Sequence, residues 1–229
     1  MLIDLQLSSA HNDWPQLRDA VLRAEDERYD TTWVLDHFDG RVLGGDRAML
    51  ECFTLLGALA ACTTTIGVGT LVANVANRHP AVLAAAASTA QRISGGRLHL
   101  GIGAGASPDS SFAIEHHERG IPIHPDLAER HRAVVRQIEI LRTIEPMPII
   151  VGVNSVELAI VAGRYADGVN VRLSSKKAKA YLTAARESTQ GRPFETSGWA
   201  PLHDQRSRDK AVELDLDRLI LSRLEPLDA

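Results

Sequence analysis

Short polar stretches that follow apolar runs carry the residues able to do chemistry in this chain. "DHFDG" brings Asp36, His37 and Asp39 directly after "TTWVL". Histidine is the side chain that gains and loses a proton near neutral pH. His37 is therefore the candidate proton carrier, and Asp36 a carboxylate able to orient a ring or substrate. Neighbours in a strand face opposite sides, so the two need not form a dyad. The alternative is that Asp36 caps a turn and His37 packs against Phe38. "GIGAGAS" spaces Gly101, Gly103 and Gly105 so that a flat ligand could approach bare backbone, and a tight barrel corner asks for the same residues. The pattern lacks the later glycine and the ribose acid of a dinucleotide fingerprint. "GVNS" closes a run at Gly152. Asn154 or Ser155 can then cap a helix whose free N–H groups would face an anion, and a plain cap reads the same way. His116, His117, His124 and His131 share one polar excursion. Their spacing reads as chance rather than a ligand set, so no metal is expected.

These stretches need a frame. Strand-like runs fall at 2–8, 31–38, 64–73, 97–105, 147–153, 167–173, 195–202 and 217–224. Most are rich in β-branched residues and bounded by Gly, Pro, Asp or Asn. Helix-like segments separate them: "WPQLRDAVLRAEDER", "AMLECFTLLGALAACT", "PAVLAAAASTAQRIS" with proline in its first turn, "PDLAERHRAVVRQIEILRTI", "SVELAIVAGRYA", "SKKAKAYLTAARES" and "RSRDKAVEL". Eight strands and seven helices in strict βα order predict a parallel sheet with helical crossovers. Eight repeats predict a closed (β/α)8 TIM barrel. It is a trimmed one, because the eighth helix is missing after "DRLILSRL". A seven-stranded variant follows if strand one or seven, the weakest of the runs, fails. In such a barrel the site lies where strands end and helices begin, and the polar stretches fall on that rim. Residues 1–229 read as a single domain.

Composition narrows the classes. Net charge is −4 over 229 residues, with 45% hydrophobic and 24% charged, which excludes a broad basic footprint for nucleic acid. The two cysteines, Cys52 and Cys62, lie ten residues apart in one helix-like run. That separation is roughly 15 Å in a helix, beyond disulfide reach. Both read as reduced, which fits a cytoplasmic protein. No apolar run is long enough to span a membrane, and the N-terminus lacks a signal-peptide pattern.

Several segments in fixed order resemble the bacterial luciferase-like oxidoreductases that use flavin or deazaflavin: "TTWVLDHF", "LGALAACTTTIGVGTLVANVANRHPAVLAAAASTAQRISGGRLHLGIGAG", "HRAVVRQIEILR" and "IIVGVNSVELAIVAGRYADGVN". They cover roughly residues 31 to 170. The resemblance implies a redox ring lying across the barrel mouth. It implies a bulge in the third strand with a non-prolyl cis peptide at Leu71–Val72 behind the ring. Leu71, Val72, Ala73 and Asn74 would then contact the cofactor. Its phosphate end would meet Gly103, Ala104 and Gly105 and the segment Gly152, Val153, Asn154 and Ser155. "DHF" looks more like the branch that uses coenzyme F420 than the luciferase branch, with Asp36 and His37 beside the ring.

The departures are as specific. Relatives carry an insertion before the fifth strand, and here "ILRTIEPMPIIV" runs through. The segment between strands seven and eight is short. Where the deazaflavin sugar-phosphate dehydrogenases place a proton-donating glutamate, this chain has Ala106, with Asp109 nearby. The resulting expectation is an F420-dependent oxidoreductase moving hydride to or from a small organic substrate, as a homodimer. The rivals are an FMN-dependent monooxygenase and a non-catalytic flavin-binding protein.

Overall fold

The computed structural model describes residues 1–227. All eight expected strands form: β1 (Leu2–Leu7), β2 (Thr31–Val34), β3 (Gly67–Asn74), β4 (Leu98–Gly103), β5 (Ile149–Val153), β6 (Gly168–Arg172), β7 (Glu195–Pro201) and β8 (Arg218–Arg223). They close into one barrel in sequence order, every neighbouring pair parallel. The seven expected helices are α1 (Trp14–Asp26), α2 (Cys52–Cys62), α3 (Pro80–Ile93), α5 (Leu127–Leu141), α6 (Val156–Tyr165), α7 (Ala178–Glu187) and α8 (Gln205–Glu213). The short helix α4 (Ile114–His117), preceded by a 3-10 turn at Ser111–Ala113, is an addition that periodicity did not reveal. Among the described residues no helix follows β8, and no helix is long and apolar enough to cross a membrane.

Local chemistry sets the helix starts. Asp13 and Gln16 form a reciprocal capping box at α1, satisfying donors that have no partner within the helix. Pro80 opens α3 where a missing N–H costs nothing, and the His79 ring accepts from the N–H of Ala81. Glu51 caps α2 by accepting from Thr54, so that helix starts four residues later than its apolar run suggests. Cys52 and Cys62 are both free thiols.

Two layers of apolar packing hold the barrel. The larger lies between strands and helices, with Leu17, Leu56, Leu83, Ile138 and Leu158 among its buried members. The smaller fills the barrel itself: Trp33, Leu71, Ile150 and Ile220, with Val72 and Trp199 packed on it. Below it, at the N-terminal end, Arg218 Nη1 lies 2.9 and 2.8 Å from the two Asp4 carboxylate oxygens. Trp33 donates its indole N–H to the same carboxylate. The barrel floor is thus closed by paired charges, and the opposite end stays open.

β2 is shorter than its apolar run. Strand pairing ends at Val34, so Asp36, His37 and Phe38 lie in the loop beyond. The N–H groups of Phe38 and Asp39 turn to the Glu115 carboxylate instead of a neighbouring strand.

Candidate functional site

The open end holds a cavity of about 580 Å³, within the ~300–1,000 Å³ usual for small-ligand sites. Its floor is an irregularity in β3. The β3–β4 register shifts between Thr70 and Ala73, and the Leu71–Val72 peptide is cis, as the resemblance implied. Gln6 on β1 donates to the Leu71 carbonyl at 2.9 Å and accepts from Ser222 on β8 at 2.7 Å. Thr70 donates its hydroxyl to the Gly101 carbonyl. The bulge is therefore pinned from across the barrel by the Gln6 side chain and on its β4 side by the strand's own Thr70 hydroxyl.

The bulge explains the glycines. A Cβ on Gly103 would stand 2.6 Å from Val72 Cγ2, one on Gly152 2.8 Å from Val72 Cγ1, and one on Gly101 2.1 Å from the Thr70 carbonyl oxygen. Carbon atoms in contact sit at about 3.5–4.0 Å, so these positions have no room for a side chain. The space belongs to Val72 and the bulged backbone rather than to a ligand pressed on bare peptide. Gly105 has φ +73°, and its Cβ would meet the Asn74 side chain at 2.5 Å, so it is required twice over.

Asp36 lines the cavity, but its carboxylate is engaged. Arg78 reaches it with both terminal nitrogens at 2.7 Å, and the Asn74 N–H donates to it at 2.9 Å. The Asp36 side chain is 1% exposed and Arg78 11%. Asn77 donates to the Asp36 carbonyl at 3.0 Å, and Arg78 also pairs with Glu51. The loop after β3 is thus tied to the loop after β2.

His37 does not pair with Asp36. Its Nδ1 lies 2.7 Å from Glu115 Oε1, with His37 24% exposed and Glu115 1%. Burial raises the Glu115 carboxyl, but the His37 hydrogen bond and charge and the N–H groups of Phe38 and Asp39 outweigh it, holding the group below its ordinary value. An ionised Glu115 orients the imidazole by its Nδ1 edge and leaves Nε2 for the cavity. The Phe112 ring lies 5.6 Å from the imidazole. Beside them, His116 Nε2 sits 2.8 Å from Asn77 Oδ1 and 3.0 Å from Asn74 Nδ2. Burial lowers the His116 pKa, partly offset by Glu115, which favours the neutral ring.

Of the residues singled out by sequence, Asp36, His37, Leu71, Val72, Asn74, Gly103, Ala104, Gly105, Gly152, Val153 and Asn154 line the cavity, and so does Ala106. Ala73 is buried in the outer core instead: Leu71 and Val72 both face the barrel interior, so the register shift between Thr70 and Ala73 breaks the alternation and turns Ala73 outward. Ser155 acts as the α6 cap, accepting from the Leu158 N–H at 3.1 Å, and stands outside the lining. Among the described residues no group of histidines, cysteines or carboxylates is placed to hold a metal. Sequence reasoning missed Glu115, Phe112, Arg172 and Trp199. The last two follow Asn170 and Ser197 at the two-residue spacing of an inward-facing strand. Glu115 gave no such signal.

A closed parallel (β/α)8 barrel with a large cavity on its C-terminal rim, floored by a bulged third strand, defines the class. Within it, the chain belongs to the luciferase-like monooxygenase family, whose profile matches residues 3–214. It is 29% identical over 217 residues to a 5,10-methylenetetrahydromethanopterin reductase of Archaeoglobus fulgidus, covering 83% of this chain and 61% of the relative. It is 26% identical over 202 residues to an F420-dependent glucose-6-phosphate dehydrogenase of Segniliparus rotundus, covering 76% and 58%. The chain thus spans about three fifths of the length of these relatives. The structure of a coenzyme F420 dependent tetrahydromethanopterin reductase from Methanopyrus kandleri shares the fold, with TM-score 0.68, 19% identity, and coverage of 87% of this chain and 65% of that one.

Proposed function

We propose that this chain is an oxidoreductase domain that binds coenzyme F420 and moves a hydride to or from a small organic substrate. Both relatives above support an F420 enzyme: one is named for the cofactor, and the other matches the activity of a structural neighbour that is. The observation that carries the reading is the rim cavity, with the Leu71–Val72 bulge on its floor and the His37–Glu115 pair on its wall.

The residues fit a flat redox ring with a polar tail. Leu71 and Val72 offer an apolar floor. Ser110 lines the cavity with a buried hydroxyl that has no protein partner among the described residues, a polar atom left for a ligand. When bound, the deazaflavin supplies a carbon that carries hydride, with little reactivity toward oxygen. The protein's part is to hold the ring against the bulge and exclude water from its floor. His37 holds or releases the proton at Nε2, and Glu115 keeps the imidazole in register. Asp36 acts through Arg78 and the Asn74 N–H, setting the loop that borders the ring. Residues 1–229 form one functional barrel domain in this reading, and the active form is a homodimer.

The test is titration of purified protein with coenzyme F420 and with FMN, followed by visible absorbance and protein fluorescence. F420 binding in preference to FMN is the expected result. Binding of FMN alone would overturn the reading in favour of a luciferase-type monooxygenase. If F420 binds but no substrate panel gives turnover and His37→Ala changes nothing, a non-catalytic binding role replaces the enzyme. Light scattering checks the dimer.

A further inference from the structure

Most charge around the cavity is already matched. Asp36 is held by Arg78, and Glu115 faces His37. Arg172 is the exception. It is the last residue of β6, exposed and on the cavity wall, and no carboxylate pairs with it among the described residues. Its guanidinium carbon lies 5.1 Å from the centre of the Trp199 ring, its register partner on β7. The polar groups below are engaged. Asn170 donates to Ser197 at 3.0 Å, and Ser222 donates to Gln6. In a ring closed from β1 to β8, β6 is four strands from β2, so Arg172 stands across the mouth from His37.

We propose that Arg172 and Trp199 form an anion-recognising subsite that takes a carboxylate or phosphate group of the ligand bound in this cavity. A guanidinium presents a planar fork of donors that matches either group with two parallel hydrogen bonds. Resting on the indole face restricts that fork before any ligand arrives and removes part of its water. A cation on a cavity wall without a carboxylate partner gains more from an incoming anion than one already paired. The Trp199 face adjoining it receives the apolar body of the same ligand. The subsite rests on the cavity being a ligand site, as proposed above, but not on which cofactor fills it. The anionic group has two sources: the tail of the cofactor, or an acidic substrate.

The experiment compares wild type, Arg172→Ala, Arg172→Lys and Trp199→Phe. The probes are coenzyme F420, the deazaflavin riboside without its phosphate-bearing tail, inorganic phosphate and succinate. Dissociation constants come from absorbance for the two deazaflavins. For phosphate and succinate they come from quenching of tryptophan fluorescence, with and without F420 present, and Trp199→Phe identifies the responding ring. Arg172→Ala is expected to weaken at least one anionic probe about tenfold or more, to leave riboside binding within twofold, and to leave the melting temperature unchanged. Arg172→Lys should recover part of the loss. Loss confined to F420 assigns the group to the cofactor tail, and loss confined to phosphate or succinate on the loaded protein assigns it to the substrate. If wild type binds no anionic probe, or Arg172→Ala binds all of them within twofold of wild type, the subsite is wrong. Failure of both F420 and FMN to bind wild type would sink the cofactor reading while phosphate and succinate still decide the subsite.

Discussion

Gly103→Ala is the sharpest test of how the cavity floor is built. The added Cβ would stand 2.6 Å from Val72 Cγ2, about 1 Å inside normal carbon contact. Val72 cannot swing clear. It is β-branched and stiff at χ1, and its other methyl already faces Gly152, where a Cβ would be 2.8 Å away. Overpacking of this kind costs about 1–3 kcal/mol. Val72→Ala removes two half-buried methyls, a loss of about 1 kcal/mol. In the double variant the collision is gone, so its stability should fall within about 0.5 kcal/mol of Val72→Ala alone, giving a coupling of about 1–3 kcal/mol. The assay is equilibrium unfolding in urea followed by circular dichroism. Gly57→Ala is the internal control: a Cβ there meets nothing nearer than Ile93 Cδ1 at 3.9 Å, so it should stabilise α2 by about 0.5–1 kcal/mol. A Gly103→Ala protein as stable as wild type, or additive single and double variants, would refute the argument. The glycines would then be serving something other than Val72.

Three further perturbations probe loops, two on the rim and one at the opposite end of the barrel. Asp36→Ala leaves Arg78, 11% exposed, with the Phe53 ring and one carboxylate, the half-exposed Glu51, and should destabilise by about 3 kcal/mol in the same urea assay. Asp36→Ala in an Arg78→Ala background should cost much less. Glu115→Gln tests the clamp on the loop after β2. Because the Glu115 carboxyl is held below its ordinary 4.5, its contribution is full above that pH and is lost as pH falls through the depressed value. The urea midpoints of wild type and variant should differ at pH 7 and converge on acidification. Glu25 accepts from the N–H groups of Thr64, Thr65 and Ile66. Burial raises its pKa, but those three bonds and the Thr65 hydroxyl bring it down from 4.5 to about 2. Glu25→Ala should cost about 1 kcal/mol at pH 7, and a pH scan should show that difference shrinking between pH 4.5 and 2.

What could be read from sequence, and what could not, divides along a physical line. Strands and long helices were legible because each carries its own period, and all eight strands stand within a few residues of their apolar runs. Polar residues at strand ends were legible as a rim, because a parallel barrel puts every such end on one side. Pairings across loops were not. His37 finds its partner 78 residues away in Glu115, on a four-residue helix too short to show a period. Asp36 has the residue type of a catalyst and the contacts of a tie, and only Arg78 and Asn74 reveal the difference. The glycines make the same point from the other side. "GIGAG" states that Cβ atoms are forbidden at Gly101 and Gly103 but not what forbids them. The answer lies on the neighbouring strand, in a bulge that also accounts for Gly152 on the next strand but one. One local event in β3 thus dictates residue choice on two other strands, β4 and β5. A substitution that flattened the bulge should therefore make Gly101, Gly103 and Gly152 tolerant of alanine together.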